Sequence, residues 1–206
     1  MNLRRAFAAT LLAGAVTLTA GGTAHAENFF KMLFQGSDNF GPRVSGPGAS
    51  VPYKYQRQRV RYNTNEKPGT IVIHSNEKFL YLVEGNGKAL RYGVGVGREG
   101  FGWKGNVTIG RKAEWPGWTP PASMRARERA KGRILPAYME GGPKNPLGAR
   151  AMYLYRGGKD TIFRIHGTTE PWTIGHNVSS GCIRMVNADV TDLYSRVPVG
   201  TKVVVR

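Results

Sequence analysis

One cysteine and a small set of histidines carry most of the chemistry this sequence can offer. Cys182 is the only cysteine among 206 residues, so an internal disulfide, a multi-cysteine zinc site and an iron–sulfur cluster are ruled out. A lone thiol is either packed as a small apolar side chain, paired with another molecule, or kept as a nucleophile. Its neighbours, Ser179-Ser180-Gly181 before it and Ile183-Arg184 after it, favour the nucleophile. A Ser-Ser-Gly turn presents the thiol, and glycine allows close backbone approach. Such a thiol needs a base, because free cysteine titrates near about 8.5 and the thiolate is the attacking form. His166 ends an apolar strand and is followed by Gly167, a natural site for a side chain held at a strand end. His176 lies in a polar loop, whereas His74 also ends a strand, so this logic alone does not single out His166. Zinc on His166, His176 and Cys182 is the weaker reading, since their spacing matches no compact ligand pair and the Cys-x-x-Cys of zinc deaminases is missing.

The elements that must position these residues are mostly strands. Residues 70–74, 78–83, 89–94, 106–109, 151–155, 161–165 and 202–205 are rich in β-branched and aromatic side chains. Gly85-Asn86-Gly87 marks a tight hairpin between the second and third of these runs. One helix is predicted after Asn187, which suits an N-cap. Asp189 and Asp192 suit its first turn, and Val190, Leu193, Tyr194 and Val197 fall on one face. A shorter, very basic helix is expected over 124–131. Between strands, residues 114–121 hold Trp115 and Trp118 among prolines and a glycine. That stretch is either a lid that puts Trp118 against substrate or a rigid loop capping the core.

The chain contains 30 Lys+Arg against 13 Asp+Glu, a formal charge of +17, which suits polyanionic surroundings. Arg4 and Arg5, an apolar stretch from 6 to 20 and Ala24-His25-Ala26 form an export leader, so cleavage is predicted after residue 26. The stretch is too short to span a bilayer, and no later run approaches that length, so no transmembrane segment is expected after cleavage. Export into the periplasm or cell envelope disfavours nucleic acid as a partner, and no nucleic-acid recognition motif is present. Residues 27–68 read as a Gly-, Pro- and Arg-rich arm or linker, and 69–206 as one catalytic domain.

The segment 166–184 resembles the signature of the L,D-transpeptidase (YkuD-like) catalytic domain. It carries His166-Gly167-Thr168, Ile174-Gly175 and Ser179-Ser180-Gly181-Cys182-Ile183-Arg184. The likeness extends from Thr70 to the C-terminus through the Trp115–Pro121 stretch and the Asn145-Pro146-Leu147-Gly148 turn. It implies a mostly β fold of sandwich or barrel-like type with one or two short helices, and a cysteine and histidine facing each other in a cleft. It further implies a reaction: cleavage of the bond between the third stem-peptide residue of peptidoglycan and the following D-Ala, a cysteine thioester, and transfer of the acyl group to an amine. Carried over, Cys182 is the nucleophile and His166 the base, with the Gly167 carbonyl orienting the imidazole. The amides near Gly181 and Cys182 become oxyanion donors. Ser180 stands where many relatives have a second histidine, and Arg184 either contacts an acidic substrate group or forms a structural ion pair. No metal or organic cofactor is implied. The acceptor stays open among another stem peptide, an envelope-protein amine and a free amino acid. Two further readings remain beside transfer: a cysteine hydrolase trimming stem peptides, and a non-catalytic basic wall-binding protein.

Overall fold

The computed structural model describes residues 51–99 and 102–206. The predicted leader and residues 27–50 of the predicted arm lie outside the described residues. In chain order the elements are β1 (Gln58–Arg61), β2 (Ile71–His74), β3 (Phe79–Gly85), β4 (Lys88–Gly93), β5 (Val96–Gly97), β6 (Gly105–Glu114), α1 (Ala122–Ala130), β7 (Arg150–Arg156), β8 (Lys159–His166), β9 (Asn177–Ser179), β10 (Ile183–Arg184), α2 (Asn187–Arg196) and β11 (Lys202–Val205). The mostly β expectation holds, and each long β-branched run is a strand. The turn between β3 and β4 places Asn86 and Gly87 at φ 51° and 67°, the paired left-handed conformations that suit a two-residue hairpin to the twist of its strands.

Nine strands form one mixed sheet in the order β1-β4-β3-β2-β11-β6-β7-β8-β10, and β5 pairs separately with β9. Alternate residues of β2, β3, β4, β6, β7 and β11, with Ile165, Ile183 and the apolar stripe of α2, converge on one buried cluster. Residues 71–73 of β2 are fully buried, because Val72 packs on the opposite face with Tyr81, Val83, Ala89 and Val204. Burying each such Val or Leu contributes about 1.5–3 kcal/mol. The sheet curls until its far edge returns to the chain leaving β4. There Gly95 and Arg184 exchange main-chain hydrogen bonds of 3.0 and 2.8 Å, which makes the architecture barrel-like.

The short strands escape the sequence pattern. β5, β9 and β10 span two or three residues each, too few to display alternation. β1 falls within the stretch predicted to be an arm, yet it pairs antiparallel with β4, Gln58 opposite Arg91 and Arg61 opposite Lys88. Its exposed Arg59 and Arg61, alternating with half-buried Gln58 and Val60, suit an edge strand. Among the described residues, no helix is long and apolar enough to cross a membrane.

Candidate active site

β8 and β10 run parallel, Ile165 opposite Ile183 and His166 opposite Arg184. Side chains alternate across a strand. Ile165 and Ile183 therefore enter the core, while His166 and Arg184 project from the other face. Cys182, two residues before Arg184, falls on that same face. Of the described histidines, only His166 lies on the ladder that β10, the strand directly after Cys182, makes with β8. His74 meets the Tyr62 hydroxyl at 2.9 Å and Glu77 at 3.2 Å, in a separate cluster. His176 precedes β9, where burial and the charges of Lys54 and Lys78 hold its pKa below the usual value.

His166 Nδ1 lies 2.6 Å from the Gly167 carbonyl. A carbonyl only accepts, so Nδ1 carries the proton and Nε2 keeps its lone pair. Burial, reinforced by the Arg184 charge, pushes the imidazole pKa down to about 3. The ring is therefore neutral at physiological pH. Burial likewise pushes the Cys182 thiol up from its usual value, with the Arg164 main-chain N–H and the Arg164 and Arg184 charges partly opposing it. Both groups therefore rest neutral, the thiol protonated and the imidazole uncharged, with no preformed thiolate.

A bulge in β8 shapes the thiol's surroundings. Tyr153 and Tyr155 face Arg164 and Asp160, so β8 carries extra residues between those two pairs. Ile162 absorbs them at φ 61°, a region that costs a β-branched residue about 1–3 kcal/mol. Asp160 accepts the Ile162 N–H at 2.8 Å, and the Arg164 guanidinium grips Asp160 at 2.6 and 2.9 Å. The Ile162 carbonyl then lies 4.0 Å from Cys182 Sγ.

Ser179 organises the turn that holds Cys182, a role that the sequence pattern alone does not single out. Its Oγ accepts the Gly181 N–H at 3.1 Å and donates to the Cys182 carbonyl at 2.6 Å. The first bond is the local hydroxyl-to-amide turn that a serine two residues before a glycine can make, which is the signal that could have found it. It also corrects an expectation. The Gly181 amide is turned into the loop, so the Cys182 amide is the remaining candidate oxyanion donor of the two. Ser180 instead accepts a 3.3 Å bond from Arg127 of α1.

Two further expectations change. Arg184 is 3% exposed and its guanidinium meets Glu170 at 3.1 Å, with Thr173 Oγ1 at 3.5 Å. It holds a buried ion pair under the site rather than offering itself to an acidic substrate group. Burial pushes the Glu170 carboxyl up to about 7, against the pull of Arg184. Trp118 is buried and its main chain exchanges 2.8 Å bonds with Met139, so it anchors a rigid loop, while Trp115 is the half-exposed tryptophan. Asn187 is the first helical residue of α2 rather than its cap. Its Oδ1 accepts the amides of Ala149 and Thr168 at 3.0 and 3.2 Å, fixing the turn that follows His166. A side chain at Gly148 or Gly167 would collide with that oxygen.

The profile of the YkuD L,D-transpeptidase catalytic domain matches residues 68–205. The chain belongs to this family. Within it, this chain is 41% identical over 136 residues to Probable L,D-transpeptidase YbiS of Escherichia coli K12, covering 65% of this chain and 43% of that protein. It is 36% identical over 171 residues to Probable L,D-transpeptidase ErfK/SrfK of the same organism, covering 82% and 51%. The chain thus spans about half the length of the curated relatives it matches. A Brucella melitensis crystal structure, described as a probable carnitine operon oxidoreductase, is 54% identical with a TM-score of 0.50, covering 74% of this chain and 94% of that one.

Proposed function

We propose that this protein is an exported L,D-transpeptidase whose residues 69–206 form the catalytic domain, acting on peptidoglycan stem peptides in the periplasm or cell envelope during wall remodelling or crosslinking. The observation that supports it most is the neutral His166 ring, its Nδ1 proton tied to the Gly167 carbonyl, at the end of the strand that pairs with β10 directly after the lone thiol. Nε2 is free to take the Cys182 proton as sulfur attacks the carbonyl carbon before D-Ala. Both partners start neutral, so proton transfer accompanies attack and charge develops only in the transition state. The carbonyl oxygen becomes an oxyanion received by the Cys182 amide. Collapse breaks the C–N bond, the D-Ala nitrogen takes the proton back from Nε2, and a thioester remains on Cys182. An acceptor amine then attacks, gives its proton to Nε2 and restores the thiol. Arg184 and Glu170 act from beneath, as a buried pair that keeps β10 in place beside β8.

Incubation of the protein with a purified tetrapeptide muropeptide and an amine acceptor, followed by mass spectrometry, tests this. The expected products are free D-Ala and the acceptor adduct, and Cys182→Ala should form neither. Release of D-Ala without adduct would reassign the protein as a hydrolase. Substantial adduct from Cys182→Ala would overturn the mechanism, and no turnover by wild type would favour a wall-binding role.

A further inference from the structure

The segment between β5 and β6 contributes Trp103. Its indole Nε1–H donates to the Gly181 carbonyl at 3.0 Å. Its ring stacks on Phe163 with centroids 4.8 Å apart and planes 8° from parallel, and both rings pack against the main core. Phe163 follows Ile162, whose carbonyl faces the thiol. Trp103 therefore braces both sides of the nucleophile: the Gly181 carbonyl before it and the bulged stretch of β8 beside it. Gly181 lies at φ 107°, where its peptide planes have freedom that other residues lack.

The Gly181–Cys182 peptide is planar and trans, so its C=O and N–H point in opposite directions. Anchoring the carbonyl to an indole on the core side fixes the Cys182 N–H on the side away from the core. The Ser179 hydroxyl clamps the next plane by donating to the Cys182 carbonyl. The Gly181 amide is already spent on Ser179, so the orientation of this one N–H matters. From this geometry we infer that Trp103 is a positioning residue for acyl transfer: its indole N–H presets the Cys182 amide as the oxyanion donor. The inference rests on the acyl-transfer reading above.

Trp103→Phe keeps a ring against Phe163 and removes the donor. A second form of the chain, with benzothienylalanine at position 103, replaces the N–H by sulfur in an almost identical shape and covers the case in which phenylalanine repacks. Each is compared with wild type in two reactions of Cys182. The first is acylation by a carbapenem, followed by intact mass. Sulfur bonds to the lactam carbonyl carbon, the ring C–N bond breaks, and the thiol proton passes through His166 to the ring nitrogen. The second is alkylation by iodoacetamide, in which sulfur displaces iodide and no oxyanion forms. Acylation should slow about tenfold or more, given that losing a whole oxyanion donor costs about 100- to 1000-fold, while alkylation stays within about twofold. Equal acylation by all three forms would overturn the inference, as would a parallel fall in alkylation, which would mean general damage to the thiol's surroundings. Failure of wild type to acylate would instead overturn the acyl-transfer reading itself.

Discussion

At Cys182 and His166 the decisive quantity is where the proton rests. Burial disfavours the charged form of each, lowering the imidazole to about 3 and raising the thiol. The thiolate fraction near neutrality is therefore smaller than that of free cysteine, and it should grow as pH rises. Iodoacetamide alkylation of Cys182 should climb about tenfold per pH unit from 6 to beyond 8.5, with no plateau near pH 6–7. A plateau there would reveal a thiolate–imidazolium pair and contradict the neutral resting state. Arg184 and Glu170 set a second test at this scale. Removing one partner of a buried pair strands the other charge at about 3–5 kcal/mol. Glu170→Ala should thus lower the melting temperature by roughly 6–15 °C, read by differential scanning calorimetry, whereas a change within 2 °C would show the pair to be dispensable.

Among the elements, β1 changes the meaning of the arm. Tyr62 stacks on Tyr81 with centroids 4.3 Å apart, Tyr55 meets the Phe79 ring at 5.5 Å, and Arg57 pairs with Asp192 of α2 at 2.8 Å. Removing everything before Lys67 would open the β4 edge and uncover the smaller apolar cluster, an exposed edge being a template for association. The truncated chain should still unfold cooperatively, because the main core lies wholly within β2 to β11. Its midpoint should fall by about 5–10 °C, corresponding to a few kcal/mol. An unchanged midpoint would show β1 to be ornamental, and loss of cooperativity would place it in the core.

Over the whole molecule the charge of +17, or +15 once a leader ending at residue 26 with its two arginines is removed, acts at a distance that salt controls. Screening shortens from about 30 Å at 0.01 M to about 10 Å at 0.1 M. Co-sedimentation with purified peptidoglycan sacculi should therefore weaken severalfold across that range, and Cys182→Ala should bind as wild type does. Salt-independent binding would point to specific contacts in the cleft rather than to the field of the surface. α1 belongs to this scale as well. It is strongly basic, and Arg127 reaches Ser180, two residues before Cys182, so the positive field extends to the edge of the candidate site.

By itself the sequence determined the mostly β class, the two helices and the lone thiol with its candidate histidines. The runs at 70–74 and 161–165 are rich enough in β-branched and aromatic side chains to announce strands, and one thiol after a Ser-Ser-Gly turn has few bland explanations. Residue types and local period are properties of the chain, legible without neighbours. Only the tertiary structure decided which histidine pairs with the strand that follows Cys182, because strands that end in His74 and His166 look alike until β10 is laid parallel to β8. It also turned Arg184 inward onto Glu170, spent the Gly181 amide on Ser179, buried Trp118, and converted Asn187 from an expected cap into the acceptor that fixes the turn after His166. β1 and Trp103 were silent for the same reason. Their roles come from partners distant in sequence, Arg91 for Gln58 and the Gly181 carbonyl for Trp103, and no local pattern encodes a partner that the chain brings near only by folding.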